Sequence, residues 1–221
     1  MANIHLICTV GTSYVKNLEE AYGCTFRELP EVAKLAELEI DKGIGHLMAS
    51  SAEINSTVNV FRQIEGNVRK LILFVSDTSQ GRFAGELYES VFPALFKGKF
   101  GIVGIDSVET VVIEGLKPDF ESFRDEGVNN LKRQLFETIK SIRATAGCEA
   151  AINATGGYKA VGIISGFVAQ ILGCDVWYQF SELDAAIRIS RPDPQSAAAD
   201  TPLNIRVYHV QDRNTMVGLV D

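Results

Sequence analysis

The chain has 221 residues, 46% of them apolar, and a formal net charge of −7. That length allows one sizeable buried core with at most a small appendage, and the composition excludes disordered and collagen-like classes. The acidic balance argues against broad, nonspecific binding of double-stranded nucleic acid, which needs a basic face. It leaves room for an anion held locally by backbone N–H groups and one or two lysines.

Met1–Leu6 has no basic segment ahead of a long apolar one, so no signal peptide is expected. No apolar run reaches the roughly 18–20 residues of a bilayer span, and a cytoplasmic location without membrane contact is the expectation. A strand over Ile4–Val10 runs into Gly11-Thr12-Ser13-Tyr14. Helical spacing follows in Leu29–Lys42 and Ser51–Gln63, then a strand in Leu71–Ser76, a helix in Gly85–Phe96 and a strand in Val108–Glu114. Over Asp119–Arg143, Val128, Leu131, Leu135, Ile139 and Ile142 recur at helical spacing behind an Asp119 or Ser122 cap. Next come a strand at Ala150–Ala154, a helix at Lys159–Leu172 and strands at Asp175–Phe180 and Ile187–Ile189. Strands separated by helix-length segments predict an α/β fold, a Rossmann-like, doubly wound and mainly parallel sheet flanked by helices.

After Ile189 the character changes. Arg191–Asp200, rich in proline and alanine, reads as a linker, and Leu203–Val210 alternates like an edge strand. One domain over residues 1–194 is therefore expected, with 195–221 as linker and short tail. Such a tail is too short for a fused effector domain or a winged helix. Cys8, Cys24, Cys148 and Cys174 form no C-x-x-C pair and read as small buried side chains. His5, His46 and His209 are equally scattered. Neither a metal centre nor a cofactor is expected.

Chemistry concentrates where strands meet helices. Gly11 allows a tight turn and close backbone approach, while Thr12 and Ser13 place hydroxyls at a helix start, where free N–H groups favour an anion. The second loop is Thr155-Gly156-Gly157-Tyr158-Lys159. Its lysine sits at the positive end of a helix dipole, a conflict that a bound anion removes. The spacing is neither that of a P-loop nor G-x-G-x-x-G. A third loop, Ser76–Arg82, offers Thr78, Gln80 and Arg82 to a phosphate or a base edge, or else forms a simple polar turn. In a parallel sheet all three lie at the carboxyl ends of strands, where ligands bind.

Val10-Gly11-Thr12-Ser13 and Asn153–Ala160 resemble the two signature motifs of the CARF (CRISPR-associated Rossmann fold) proteins. Ala49–Ser56, the Ser76–Arg82 loop and Ile113–Leu116 resemble a subfamily of single-domain CRISPR-associated proteins that includes ring nucleases. The similarity runs from about Ile4 to Pro194. It implies a homodimer that binds cyclic oligoadenylate, most often the tetra-adenylate ring, across its two-fold axis. It also implies a metal-independent ring nuclease with Ser13 and Lys159 as catalytic residues. Gly11, Thr12, Thr78, Gln80, Arg82, Thr155, Gly156, Gly157 and Tyr158 would then contact the ligand. The other reading is a sensor or sponge that holds the ring and acts through a separate partner. An attached HEPN ribonuclease is not expected, because no R-x4-6-H spacing precedes any histidine. Tyr14, Tyr158 and Asn17 are neighbours of a base or ribose on one reading, and core or capping residues on the other.

Overall fold

A computed structural model describes residues 2–96, 105–180, 186–190, 205–212 and 215–219. Among the described residues eight strands form one sheet, in the order β3-β2-β1-β4-β5-β6-β7-β8. They are β1 (Asn3–Thr9), β2 (Asn67–Ser76), β3 (Ser107–Ile113), β4 (Cys148–Asn153), β5 (Asp175–Gln179), β6 (Ala186–Ile189), β7 (Ile205–Asp212) and β8 (Thr215–Leu219). The first five pair in parallel, and β6, β7 and β8 continue the sheet antiparallel from β5.

Period-two alternation sorts the strand residues between two cores. Leu6 and Cys8 of β1 and Leu71, Leu73 and Val75 of β2 face one layer. That layer holds α1 (Ser13–Tyr22), α2 (Val32–Asp41), α3 (Ile44–Ser50), α4 (Ala52–Gln63) and α5 (Ser79–Ala94). Ile7, Ile72, Phe74 and Ile152 face the other, where α7 (Val128–Ala144) and α8 (Lys159–Ile171) pack. Helices on both faces make the fold Rossmann-like, as expected. The strand order reverses between β1 and β4, and their carboxyl ends carry the Gly11 and Gly156 loops.

Several boundaries differ from the sequence reading. Helix α5 starts at Ser79 rather than Gly85, because Thr78 caps it by accepting the Gly81 N–H at 2.9 Å. Helix α3 was not anticipated; at seven residues it is too short to show a helical period. Asp119 is the cap chosen at the next helix, accepting the Ser122 N–H at 2.8 Å. From there the helix is not uniform: α6 (Phe120–Ser122) passes through a π-helical turn, Phe123–Gly127, before α7. The strand anticipated at Leu203–Val210 is β7, and it is internal: β8 pairs beyond it and takes the edge. The linker expected over residues 191–200 lies outside the described residues.

Cys8 and Cys174 are buried, while Cys24 and Cys148 are half-buried against the two cores. Burial pushes the Cys8 thiol up to about 12, so it behaves as a small apolar group. No helix among the described residues is long and apolar enough to cross a membrane.

Candidate functional site

The two glycine loops meet on one buried carboxylate. Glu53, in the first turn of α4 and only 3% exposed, accepts the Gly11 N–H at 2.9 Å. Its other oxygen accepts the Ser51 hydroxyl at 3.2 Å and the Tyr88 hydroxyl at 3.0 Å. Burial, followed by the nearby Glu53 charge, raises the Tyr88 phenol well above its ordinary range, so it stays protonated as a donor. The glycines are there because nothing larger fits. A Cβ on Gly156 would stand 2.3 Å from the Thr9 carbonyl and 2.7 Å from Glu53, and one on Gly11 would stand 2.8 Å from the Gly157 nitrogen. Gly157 adopts φ +85°, which side-chain-bearing residues rarely do. Thr9 closes the junction by donating to the Gly156 carbonyl at 2.6 Å.

Helix α4 continues this polar seam along the strand ends. Asn153 donates to Ser56 at 2.9 Å and to Thr57 at 3.2 Å, and Asn59 donates to Gln179 at 3.0 Å. Glu53, Ser56, Thr57 and Asn59 are all buried. On a helical wheel these residues read as a solvent face, which is why their role was missed. The resemblance had singled out Ala49–Ser56 without a physical reason, and Glu53 supplies one.

Two cavities flank the junction and share Gly157 and Tyr158. The first, about 220 Å³, is lined by Thr12, Ser13, Lys16 and Ser76 over a floor of Phe74, Leu116 and Val161. Thr12 occupies the cap position of α1 without a side-chain capping hydrogen bond. The second, about 430 Å³ and mostly apolar, contains Thr155, Gly156 and Lys159 beside Ile163, Tyr178 and Phe180. Ser13 and Lys159 therefore line neighbouring cavities of one chain rather than a single one. Lys16 supplies a cation to the Ser13 cavity. It lies one helical turn after Ser13 on the exposed side of α1, a spacing that could have marked it.

Other anticipated ligand residues have internal partners. The Gly11 N–H is taken by Glu53, while Gly11 itself lines the Ser13 cavity. The Thr155 hydroxyl donates to Asn153 at 2.7 Å and accepts the Gln179 N–H at 3.0 Å. Thr78 caps α5, and Arg82 pairs with Asp77 at 2.7 Å. Thr78, Gln80 and Arg82 line neither cavity; Ser76 is the residue of that loop that does. Tyr14 is buried and donates to Glu39 at 3.3 Å, while Asn17 donates to the Ser50 carbonyl at 2.7 Å. Neither lines a cavity described above, whereas Tyr158 is exposed between the two. His46 is bound to Glu39 at 2.9 Å, away from both. Among the described residues no His, Cys, Asp or Glu cluster is arranged to hold a metal ion.

Residues 48–192 match the family described as CRISPR-associated protein (Cas_APE2256). The chain belongs to this CRISPR-associated family. The match spans α4 with Glu53, the Ser76–Arg82 loop and the Thr155–Lys159 loop. Family membership and the Rossmann-like sheet agree with the CARF-type character carried by the motifs. No curated protein matches the chain. Among solved structures, Can2 from Sulfobacillus thermosulfidooxidans in complex with cyclic tetra-adenylate (cA4) is similar over 83% of this chain, at 10% identity and a TM-score of 0.43. The chain spans 34% of that protein's length.

Glu53→Ala strands the Gly11 N–H and removes an acceptor from two buried hydroxyls. Urea unfolding followed by the fluorescence of buried Trp177 should show a loss of about 2–3 kcal/mol, with a smaller loss for Glu53→Gln. Asp77 gives a pH-dependent counterpart. The Arg82 hydrogen bond holds its carboxyl below the usual range against the opposing effect of burial, helped by Lys117 and the Gly115 N–H. A depressed folded value stabilises the protein above the unfolded one and is lost as pH falls through the folded value. The stability gap between wild type and Asp77→Asn should be constant near neutrality and shrink below about pH 4.

Proposed function

We propose that the junction of the two glycine loops is a cyclic oligoadenylate site and that the chain is a metal-independent ring nuclease acting as a homodimer. The observation that carries this reading is that both glycine loops meet at buried Glu53, at the sheet's switch point, with a helix N-terminus and a lysine, Lys16 or Lys159, at each flanking cavity. Backbone N–H groups at the starts of α1 and α8, with Ser13, Lys16 and Lys159, suit a chain of phosphates. Among the described residues no carboxylate lies within ion-pair distance of either lysine. Membership of a CRISPR-associated family supports a nucleotide messenger as the source of those phosphates.

A second copy of the chain fits the outer face of α8. Ile163, Phe167 and Ile171 stand one turn apart there and are 73%, 71% and 71% exposed. Gly166 leaves open space beside them. An apolar stripe of this kind is costly in water and self-complementary about a two-fold axis. Pairing there would cover the Lys159 cavity, which shares Ile163 with the stripe. A ring with two-fold symmetry would then meet the same loops from both chains.

In the proposed reaction a ribose 2′-OH of the bound ring attacks the adjacent phosphorus and the P–O5′ bond breaks. The products are a 2′,3′-cyclic phosphate and a 5′-OH; the 2′-OH proton is lost to water and the leaving O5′ gains one. In-line orientation supplies much of the acceleration. Lys159 and the Gly157 N–H would stabilise charge growing on the phosphoryl oxygens, and Ser13 would position the phosphate. The alternative, a non-catalytic sensor or sponge, is favoured by one observation: Ser13 and Lys159 line separate cavities.

Purified protein incubated with cyclic tetra-adenylate in EDTA should yield linear products with 2′,3′-cyclic phosphate ends on chromatography. Lys159→Ala should slow cleavage about 100-fold or more without unfolding the protein. A tightly bound ring that stays intact would replace the nuclease reading with the sensor. Phe167→Glu should convert a two-chain species into a monomer in light scattering, and an unchanged mass would move the interface elsewhere.

A further inference from the structure

A third recess opens beside the phosphate cleft, and its chemistry is different. The chain leaves β3 through Gly115, whose φ of +74° turns it sharply, and Leu116, which lies on the cleft floor. Asp119 then caps α6, and the π turn Phe123–Gly127 carries the chain into α7. A Cβ on Gly127 would stand 2.6 Å from the Gly115 carbonyl, so the turn is pinned against the strand exit. Single π turns inside helices frequently accompany functional sites, because they re-aim neighbouring side chains.

This turn leaves Phe120 74% exposed. Phe123, half-buried, meets Tyr158 edge to face, with centroids 6.4 Å apart and planes at 89°. The Arg124 guanidinium lies 5.3 Å from the centre of the Phe120 ring. Phe120, Phe123 and Tyr158 line a recess of about 340 Å³ with Lys117 and Asp119 at its edge. Tyr158 also lines the Ser13 cleft, so an aromatic surface continues directly from the phosphate site.

We propose that Phe120, with Phe123 and Tyr158, is a stacking platform for a purine base of the ligand whose phosphates occupy the Ser13 cleft. The inference rests on the reading of that cleft as a cyclic oligoadenylate site and names its base-recognition surface. A flat π-system fits an exposed ring already faced by a guanidinium, and stacking tolerates any base. The charged edge formed by Lys117, Asp119 and Arg124 differs from the apolar α8 stripe, which suits a second chain.

Calorimetric titration of cyclic tetra-adenylate into wild type, Phe120→Ala and Phe120→Trp tests this, with the oligomeric mass measured for each. Phe120→Ala should bind about 10-fold or more weakly. Phe120→Trp should bind like wild type, and its new indole emission should be quenched by the ring. All three should have the same mass. Wild-type affinity in Phe120→Ala, an indole blind to the ring, or a lower mass for Phe120→Ala would overturn the platform while leaving the cleft reading intact. If wild type binds no ring at all, the cleft reading fails and the platform with it.

Discussion

A single carboxylate holds the two halves of the site together. Glu53 takes the Gly11 N–H, anchors two hydroxyls, and lies where a side chain on Gly156 would have to go. Its carboxylate sits behind the loops, out of water. The arrangement separates roles within each loop: some groups fix the loop, and others remain for a ligand. Gly11, Thr155 and Thr9 belong to the first set, and on the proposed reading Thr12, Ser13, Gly157 and the two lysines, which line the cavities, belong to the second.

Electrostatics explains how an acidic chain can serve an anionic ligand. The net charge of −7 is a property of the whole chain, and exposed charges more than about 10 Å apart are largely screened. What a phosphate would meet in the proposed site is local: helix N-termini at the sheet's switch point, and Lys16 and Lys159. Arg82 and Lys117, the other cations nearby, are tied to Asp77. Their task is to brace the exits of β2 and β3, which keeps Ser76 and Leu116 at the cleft.

The fold was largely legible because the parallel strands are short apolar runs and α7 repeats its apolar residues cleanly. Both glycine loops were legible too, since Gly156 beside Gly157 marks a tight strand-to-helix turn; the structure separates the two, Gly156 by close approach to the Thr9 carbonyl and Gly157 by its positive φ. What the sequence concealed was the use of each polar side chain. Glu53, Ser56 and Asn59 resemble a solvent face until β1 and β4 are placed against them. Arg82 resembles a phosphate ligand until Asp77 is found 2.7 Å away. Partner choice of this kind is set by tertiary contact, and no local pattern encodes it. The π turn is hidden for the same reason: it is fixed by Gly127 meeting the Gly115 carbonyl.

The central claim is that the loops joined through Glu53 act as one ligand site. Amide hydrogen exchange with and without cyclic tetra-adenylate tests it directly. Slowed exchange in both segments, residues 11–16 and 156–161, in the same titration and with the same midpoint is the predicted result. Protection of one segment alone, or of neither while the ring binds, would contradict it.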